Sequence, residues 1–137
     1  MDLVVKNEIK AEDFVELRKE MGWNEIPVEL VKRAVHGSMF NICVYDKDKC
    51  IGMGRLVGDG ALKGMLTDVM VKKEYQGKGI GKIIVTSLIK NLEEMVKPGE
   101  CFQLEASPTQ NNRDFYVKCG LKHKPENQDG VYLWVRK

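Results

Sequence analysis

The run Gln76-Gly77-Lys78-Gly79-Ile80-Gly81 stands between an apolar segment and the longest amphipathic stretch of the chain, and no other feature constrains the fold as much. Upstream, Met65 to Val71 reads as a strand. Downstream, Ile80, Ile84, Leu88, Leu92 and Val96 recur every four residues, and Val85 and Ile89 widen the stripe. Lys82, Thr86, Lys90, Glu93 and Glu94 take the other side, which predicts an amphipathic helix over 79–96 that packs on a sheet. Pro98 and Gly99 stop it, and Cys101 to Ala106 follows as a buried strand candidate. A strand, a tight glycine turn, a helix and a further strand make one right-handed crossover.

The remaining segments arrange themselves around that unit. Leu3 to Lys6 is a short β-prone start. Phe14, Leu17 and Met21 lie at helical spacing within 13–21, and Gly22-Trp23-Asn24 interrupts that helix. Pro27 opens a second one, with Leu30, Val31, Ala34 and Val35 on one face and Gly37 at its end. Two β-rich runs, 41–45 and 50–57, flank the turn 46–49 and read as a hairpin. A short helix over 111–119 closes at Gly120. Two last strands are expected near 121–124 and 131–135, separated by the polar loop 126–130. The order β-α-α-β-β-β-α-β-α-β-β predicts one mixed α/β domain over 1–137. Its mostly antiparallel sheet of six to seven strands would be flanked by about four helices.

Bulk properties exclude several classes. The net charge of +2 is too small to make nucleic acid or a membrane the main partner. The first ten residues mix charges with short apolar runs, unlike a signal peptide, and no apolar stretch approaches the ~20 residues that span a bilayer. Cys43, Cys50, Cys101 and Cys119 form no C-x-x-C pair, and only His36 and His123 could complete a metal site, so no metal is expected. The cysteines read as reduced, in a cytoplasmic protein.

Glycines at alternate positions before a helix let several backbone N–H groups converge on one anion, and the helix N-terminus adds its own unpaired donors. Lys78 and Lys82 would add charge. A P-loop requires Ser or Thr after its lysine, whereas Lys82 precedes Ile83; a dinucleotide fingerprint requires glycine where Lys82 stands. Both patterns fail. An anion cradle and a bare strand-to-helix turn remain.

The stretch 69–81, with Gln76, Gly79 and Gly81 in register, resembles the central motif of the GCN5-related N-acetyltransferase (GNAT) superfamily: an apolar strand, a short turn, then Q/R-x-x-G-x-G/A opening a helix. The element order resembles that fold from end to end. The resemblance implies an acyl-CoA-dependent N-acetyltransferase with acetyl-CoA as donor. The strand before the loop would splay from its neighbour, so that the backbone of Val69, Met70 and Val71 meets pantetheine. Gln76, Gly77, Lys78, Gly79, Ile80 and Gly81, with Lys82, would hold the pyrophosphate. Transfer requires a neutral amine, stabilisation of an oxyanion and protonation of the leaving sulfur.

Family members place a tyrosine acid in a pattern resembling F/L-Y-x-x-x-G-F. Here Phe115-Tyr116-Val117-Lys118-Cys119-Gly120-Leu121 makes Tyr116 the expected general acid, touching the cofactor as well. Leu121 departs from the usual Phe. Thr109 stands where many relatives have a cofactor-binding Asn, and Asn111 and Asn112 read as caps.

The base is less defined. Met65 occupies the place of the glutamate of histone-type relatives. Asp68 aligns with an acidic residue that polyamine acetyltransferases use near the amine, and either that role or an ion pair with Lys or Arg would explain it. Asp59 reads as a turn residue. Trp23 and Glu25 could reach the pocket mouth, although a buried indole is the commoner outcome. Cys119 lacks an evident base other than His123, so direct attack is expected over an acyl-cysteine. The acceptor implied is a small-molecule amine. A protein or peptide N-acetyltransferase, or a non-catalytic acyl-CoA sensor, are the alternatives, with the chain a monomer or homodimer.

Overall fold

The computed structural model describes residues 1–108, 112–125, 128 and 130–137. Its strands are β1 (Leu3–Lys6), β2 (Phe40–Asp46), β3 (Lys49–Gly58), β4 (Lys63–Val71), β5 (Cys101–Ala106), β6 (Lys122–His123) and β7 (Val131–Arg136). Its helices are α1 (Ala11–Glu20), α2 (Val28–Gly37), α3 (Ile80–Met95) and α4 (Arg113–Lys118). All seven strands share one sheet in the order β1-β2-β3-β4-β5-β7-β6. Every pairing is antiparallel except β4 with β5. The mixed α/β architecture expected from the sequence is the one observed.

Alternation along the central strands places helices on both faces. Ile42 and Val44 of β2 join the core under α3, while Cys43 and Tyr45 face a second core with Phe14, Leu17 and Val31. The face of α3 predicted from its four-residue spacing is the buried one: Ile80, Ile84, Val85, Leu88, Ile89 and Leu92. At about 2 kcal/mol per buried aliphatic side chain, this face anchors α3 firmly and fixes where its first turn sits. Boundaries shift slightly. Pro27, with ψ at 137°, is the extended residue before α2 rather than its first helical one, and α4 is shorter than 111–119. Among the described residues no helix is long and apolar enough to cross a membrane.

The sheet opens at its centre. β4 and β5 pair only through Lys63↔Gln103, Gly64↔Leu104 and Met65↔Glu105. β4 stays paired with β3 as far as Val71, so its other edge is without a strand partner from Leu66 onward. The cause is local. Met53 pairs with Met70 and Arg55 with Thr67, which leaves Gly54 facing both Asp68 and Val69. This is a β-bulge, and bulges bend and twist the strand that carries them. Asp68 sits at φ 54°, a left-handed conformation that aspartate tolerates better than most residues, at a cost of about 1 kcal/mol.

Candidate active site

The glycine run lies where α3 meets the end of β4. A short 3-10 turn over Lys73–Tyr75 leads into it. Tyr75 Oη donates to the Asp46 carboxylate at 2.7 Å, and Lys49 bonds Glu74 at 2.8 Å, so the approach is tied to the β2–β3 hairpin. Tyr75's hydroxyl and the Asp2 N–H hold Asp46 below its usual carboxylate range. Gly77 and Gly79 have φ of 77° and 84°, and a Cβ on either would meet nothing within 4 Å. Backbone conformation, not crowding, requires glycine there. Gly81 differs: a Cβ would lie 3.1 Å from the Phe115 ring, so this glycine makes room for α4.

Among the described residues the N–H groups of 77–82 have no carbonyl partner, the first helical bond being Ile83 N–H to Gly79 O. These unpartnered donors, at and just before the N-terminus of α3, are of the kind an anion cradle uses. Lys78 Nζ rests 5.6 Å from the Tyr75 ring centre beside it. Gln76 stands apart. Its side-chain amide donates to Val71 O at 3.0 Å, which ties the loop to the end of β4, and its N–H donates to Lys73 O within the 3-10 turn.

Beside the unpaired edge of β4 is a cleft of about 250 Å³, reached by Trp23, Met65, Asp68, Val69, Asn112 and Tyr116. Val69 and Val71 pack against the α3 core and Met70 is buried on the other face, which leaves the strand's backbone as what 69–71 offer along the edge. Asn112 occupies the N-cap position of α4 but makes no capping bond, and its Oδ1 is buried without a partner. The cap expected of it is therefore absent, although the residue itself lines the cleft. Thr109 and Asn111 lie outside the described residues. An open strand edge and the unpartnered N–H groups of 77–82 fit a ligand with a diphosphate at one end and amides along its arm. A larger cavity of about 560 Å³ lies at the N-terminal ends of β4 and β5, lined in part by Gly60, Met95 and Cys101, away from these groups.

Tyr116 is 7% exposed, and Phe115 packs edge-on to its ring at 5.1 Å. Burial, with a smaller contribution from Cys119, raises the phenol above its ordinary value, so it carries its proton at neutral pH as a general acid must. Burial also raises the Cys119 thiol, which disfavours the nucleophilic thiolate, and His123 lies exposed on β6. Asp59 Oδ1 accepts the N–H groups of Ala61, Leu62 and Lys63, the turn role expected of it. Trp23 is not core: it is 44% exposed at the cleft. Its apolar body is held instead by Arg18, 5.3 Å from the ring centre. Glu25 is exposed and does not line the cleft.

Asp68 is gripped by Arg55, whose Nε and Nη2 lie 2.9 and 2.8 Å from Oδ2. Sequence reasoning missed both Arg55 and Arg18. A signal existed: each arginine interrupts an apolar pattern, Arg18 beside Leu17 and Arg55 within 50–57, and a half-buried guanidinium needs a carboxylate nearby. Of the two roles weighed for Asp68, the ion pair is supplied directly by this geometry. Asp68→Asn keeps a residue that tolerates the left-handed bulge but leaves Arg55 unpaired. Stability to urea should fall by about 3 kcal/mol. If transfer per folded molecule then changes less than about threefold, Asp68 is not the base, because loss of a general base costs about a hundredfold or more.

Known proteins share this fold. A probable acetyltransferase of solved structure from methicillin-resistant Staphylococcus aureus, described as a protein of unknown function, superposes with a TM-score of 0.80 at 26% identity. That match covers 96% of this chain and 98% of the other. A protein of Prochlorococcus marinus named "Uncharacterized N-acetyltransferase ycf52-like" is 28% identical over 66% of this chain. Glucosamine 6-phosphate N-acetyltransferase of Candida albicans is 31% identical over 88% of it. The matches span 54% and 75% of those relatives' own lengths. Residues 7–121 match the model of the acetyltransferase (GNAT) family, and the chain belongs to that family.

Proposed function

We propose that this chain is an acetyl-CoA-dependent N-acetyltransferase that acts on the primary amine of a small molecule by direct attack. One observation carries the reading: the strand edge opened by the Asp68 bulge runs between the N–H cradle of 77–82 and Tyr116. The cradle N–H groups, with Lys78 and Lys82, would hold the diphosphate; the β4 edge at Val69–Val71 would pair with the pantetheine arm like an added strand. When bound, acetyl-CoA supplies the thioester whose acyl group moves and whose sulfur leaves.

The chain's own groups perform the rest. Tyr116 Oη holds a proton in a desolvated site and delivers it to the departing sulfur. Tyr116, 7% exposed, presents its hydroxyl from a largely desolvated position on the cleft wall, where polar contacts are stronger than in water. Cys119, kept as a neutral thiol beside Tyr116, takes no part in acyl transfer.

The test is a panel of amines incubated with acetyl-CoA and the protein, read as release of free coenzyme A thiol. Release is expected with at least one small amine. Tight coenzyme A binding with no release on any small-molecule or peptide acceptor would overturn the enzyme reading in favour of a sensor. Release only with peptides would move the acceptor to protein.

A further inference from the structure

Asp68 belongs to two spaces. On one side it lines the cleft of Tyr116; on the other it lines, with Thr67, a pocket of about 350 Å³ between α1, α2 and the sheet. The walls of this second pocket are largely apolar, and its charged groups are Arg18, Arg55 and Asp68. Two guanidinium groups therefore face one carboxylate.

The two arginines are not equivalent. Arg55 is fully engaged: Nε and Nη2 bind Asp68, and Nη1 donates to Ala34 O at 2.9 Å and to Ser38 Oγ at 3.0 Å. Its charge and that of Asp68 cancel. Arg18 directs Nε and Nη2 at the Asn24 carbonyl, at 3.2 and 3.1 Å, and lies over the Trp23 ring. Its Nη1 comes no closer than 3.9 Å to Asp68 Oδ1, beyond hydrogen-bond length. The Arg18 side chain is only 17% exposed. This guanidinium, largely removed from water and held in one orientation, shares at a distance a carboxylate that Arg55 already binds closely, so one positive charge is left in excess and Nη1 has no hydrogen-bond acceptor.

We infer that Arg18 is a specificity-determining residue that binds an anionic group, a carboxylate or a phosphate, on the amine acceptor. The inference rests on the transferase reading for the identity of the ligand as acceptor. The acceptor's amine lies in the cleft beside Tyr116, and its anionic end reaches past Thr67 to Arg18. Small amino acids and amino-sugar phosphates have this chemistry. Polyamines do not: the carboxylate that would draw a second cation is already bound by Arg55, and the remaining charge repels one.

Binding tests this without turnover. Protein saturated with coenzyme A is titrated calorimetrically with matched pairs: glucosamine 6-phosphate against glucosamine, β-alanine against β-alaninamide, and spermidine alone. The anionic member of at least one pair should bind about tenfold or more tightly than its neutral or cationic counterpart, weakening as salt rises. The pair showing the larger ratio distinguishes phosphate from carboxylate. Arg18→Gln should bring that ratio close to one. Because Arg18 also holds the 23–24 turn, a second variant guards against misfolding: Leu30→Glu, at a half-exposed position of α2 lining the pocket, should weaken the anionic ligand selectively by like-charge repulsion. Equal or inverted preference in the unaltered protein overturns the inference, as does a ratio that survives both substitutions. Thiol release is scored separately, so anion-selective binding without release would fail the transferase reading alone.

Discussion

Gly79→Asp is expected to weaken coenzyme A binding by at least about a hundredfold while the protein stays folded. Two properties of the position separate these effects. The residue has a φ of 84° with nothing within 4 Å of an added Cβ, so the substitution meets no clash. Aspartate adopts the left-handed region at a cost of about 1 kcal/mol, a drop of a few degrees in melting temperature. Its carboxylate, however, enters the mouth of a cradle built from the N–H groups of 77–82. A negative charge about 4 Å from a phosphate at an effective dielectric of about 20 contributes about 4 kcal/mol of repulsion. Gly79→Asn is the matched control: it has the same shape and the same backbone tolerance without the charge, and should lose far less affinity. Calorimetry and a melting curve on each variant decide the matter. Retained affinity in Gly79→Asp would sink the assignment of the loop, and with it the placement of the donor.

The loop was legible because its chemistry is local. Positive φ at Gly77 and Gly79 and free donors at a helix start follow from a few adjacent residues. The four-residue stripe of α3 follows from 80–96 and was seen for the same reason. What escaped reading depends on residues far apart in the chain. The Gln76 amide on Val71 O and the Phe115 ring beside Gly81 are contacts of this kind, since their partners stand on β4 and α4.

The charged cluster proposed to meet the acceptor is the least legible part, since Arg18, Arg55 and Asp68 lie on α1, β3 and β4 and meet only across the fold. A bulge decides where Asp68 points, and pairing registers of this kind are not written in the alternation of a strand. Indole area alone points Trp23 toward the core; the neighbouring arginine shows why it remains at the surface, its ring covering a guanidinium rather than filling a void. In the proposed reading, donor chemistry is carried by contiguous sequence and acceptor chemistry by assembly. A relative that shares the loop need not share the acceptor.

Tyr116→Phe tests the other end of the cleft and should lower kcat by about a hundredfold, with coenzyme A affinity little changed. The substitution removes one oxygen from a side chain whose ring packs against Phe115, so the fold has no reason to move. The pH profile separates loss of an acid from loss of shape. Burial raises the phenol above its ordinary value, so the protonated form persists through neutrality and is lost only as pH climbs past the usual tyrosine range near about 10. On the acid side the rate should rise with pH as the amine loses its proton. On the alkaline side it should fall as Tyr116 ionises. Phe at this position should keep the acid limb, which belongs to the amine, and abolish the alkaline limb, which belongs to the phenol. Cys119 does not confuse the assignment, because Cys119→Ser exchanges its thiol for a hydroxyl that does not ionise in this range and should leave the alkaline limb in place. A Tyr116→Phe enzyme with an unchanged rate would show that the leaving sulfur takes its proton from solvent. An alkaline limb that survived would assign that ionisation to another group in the cleft.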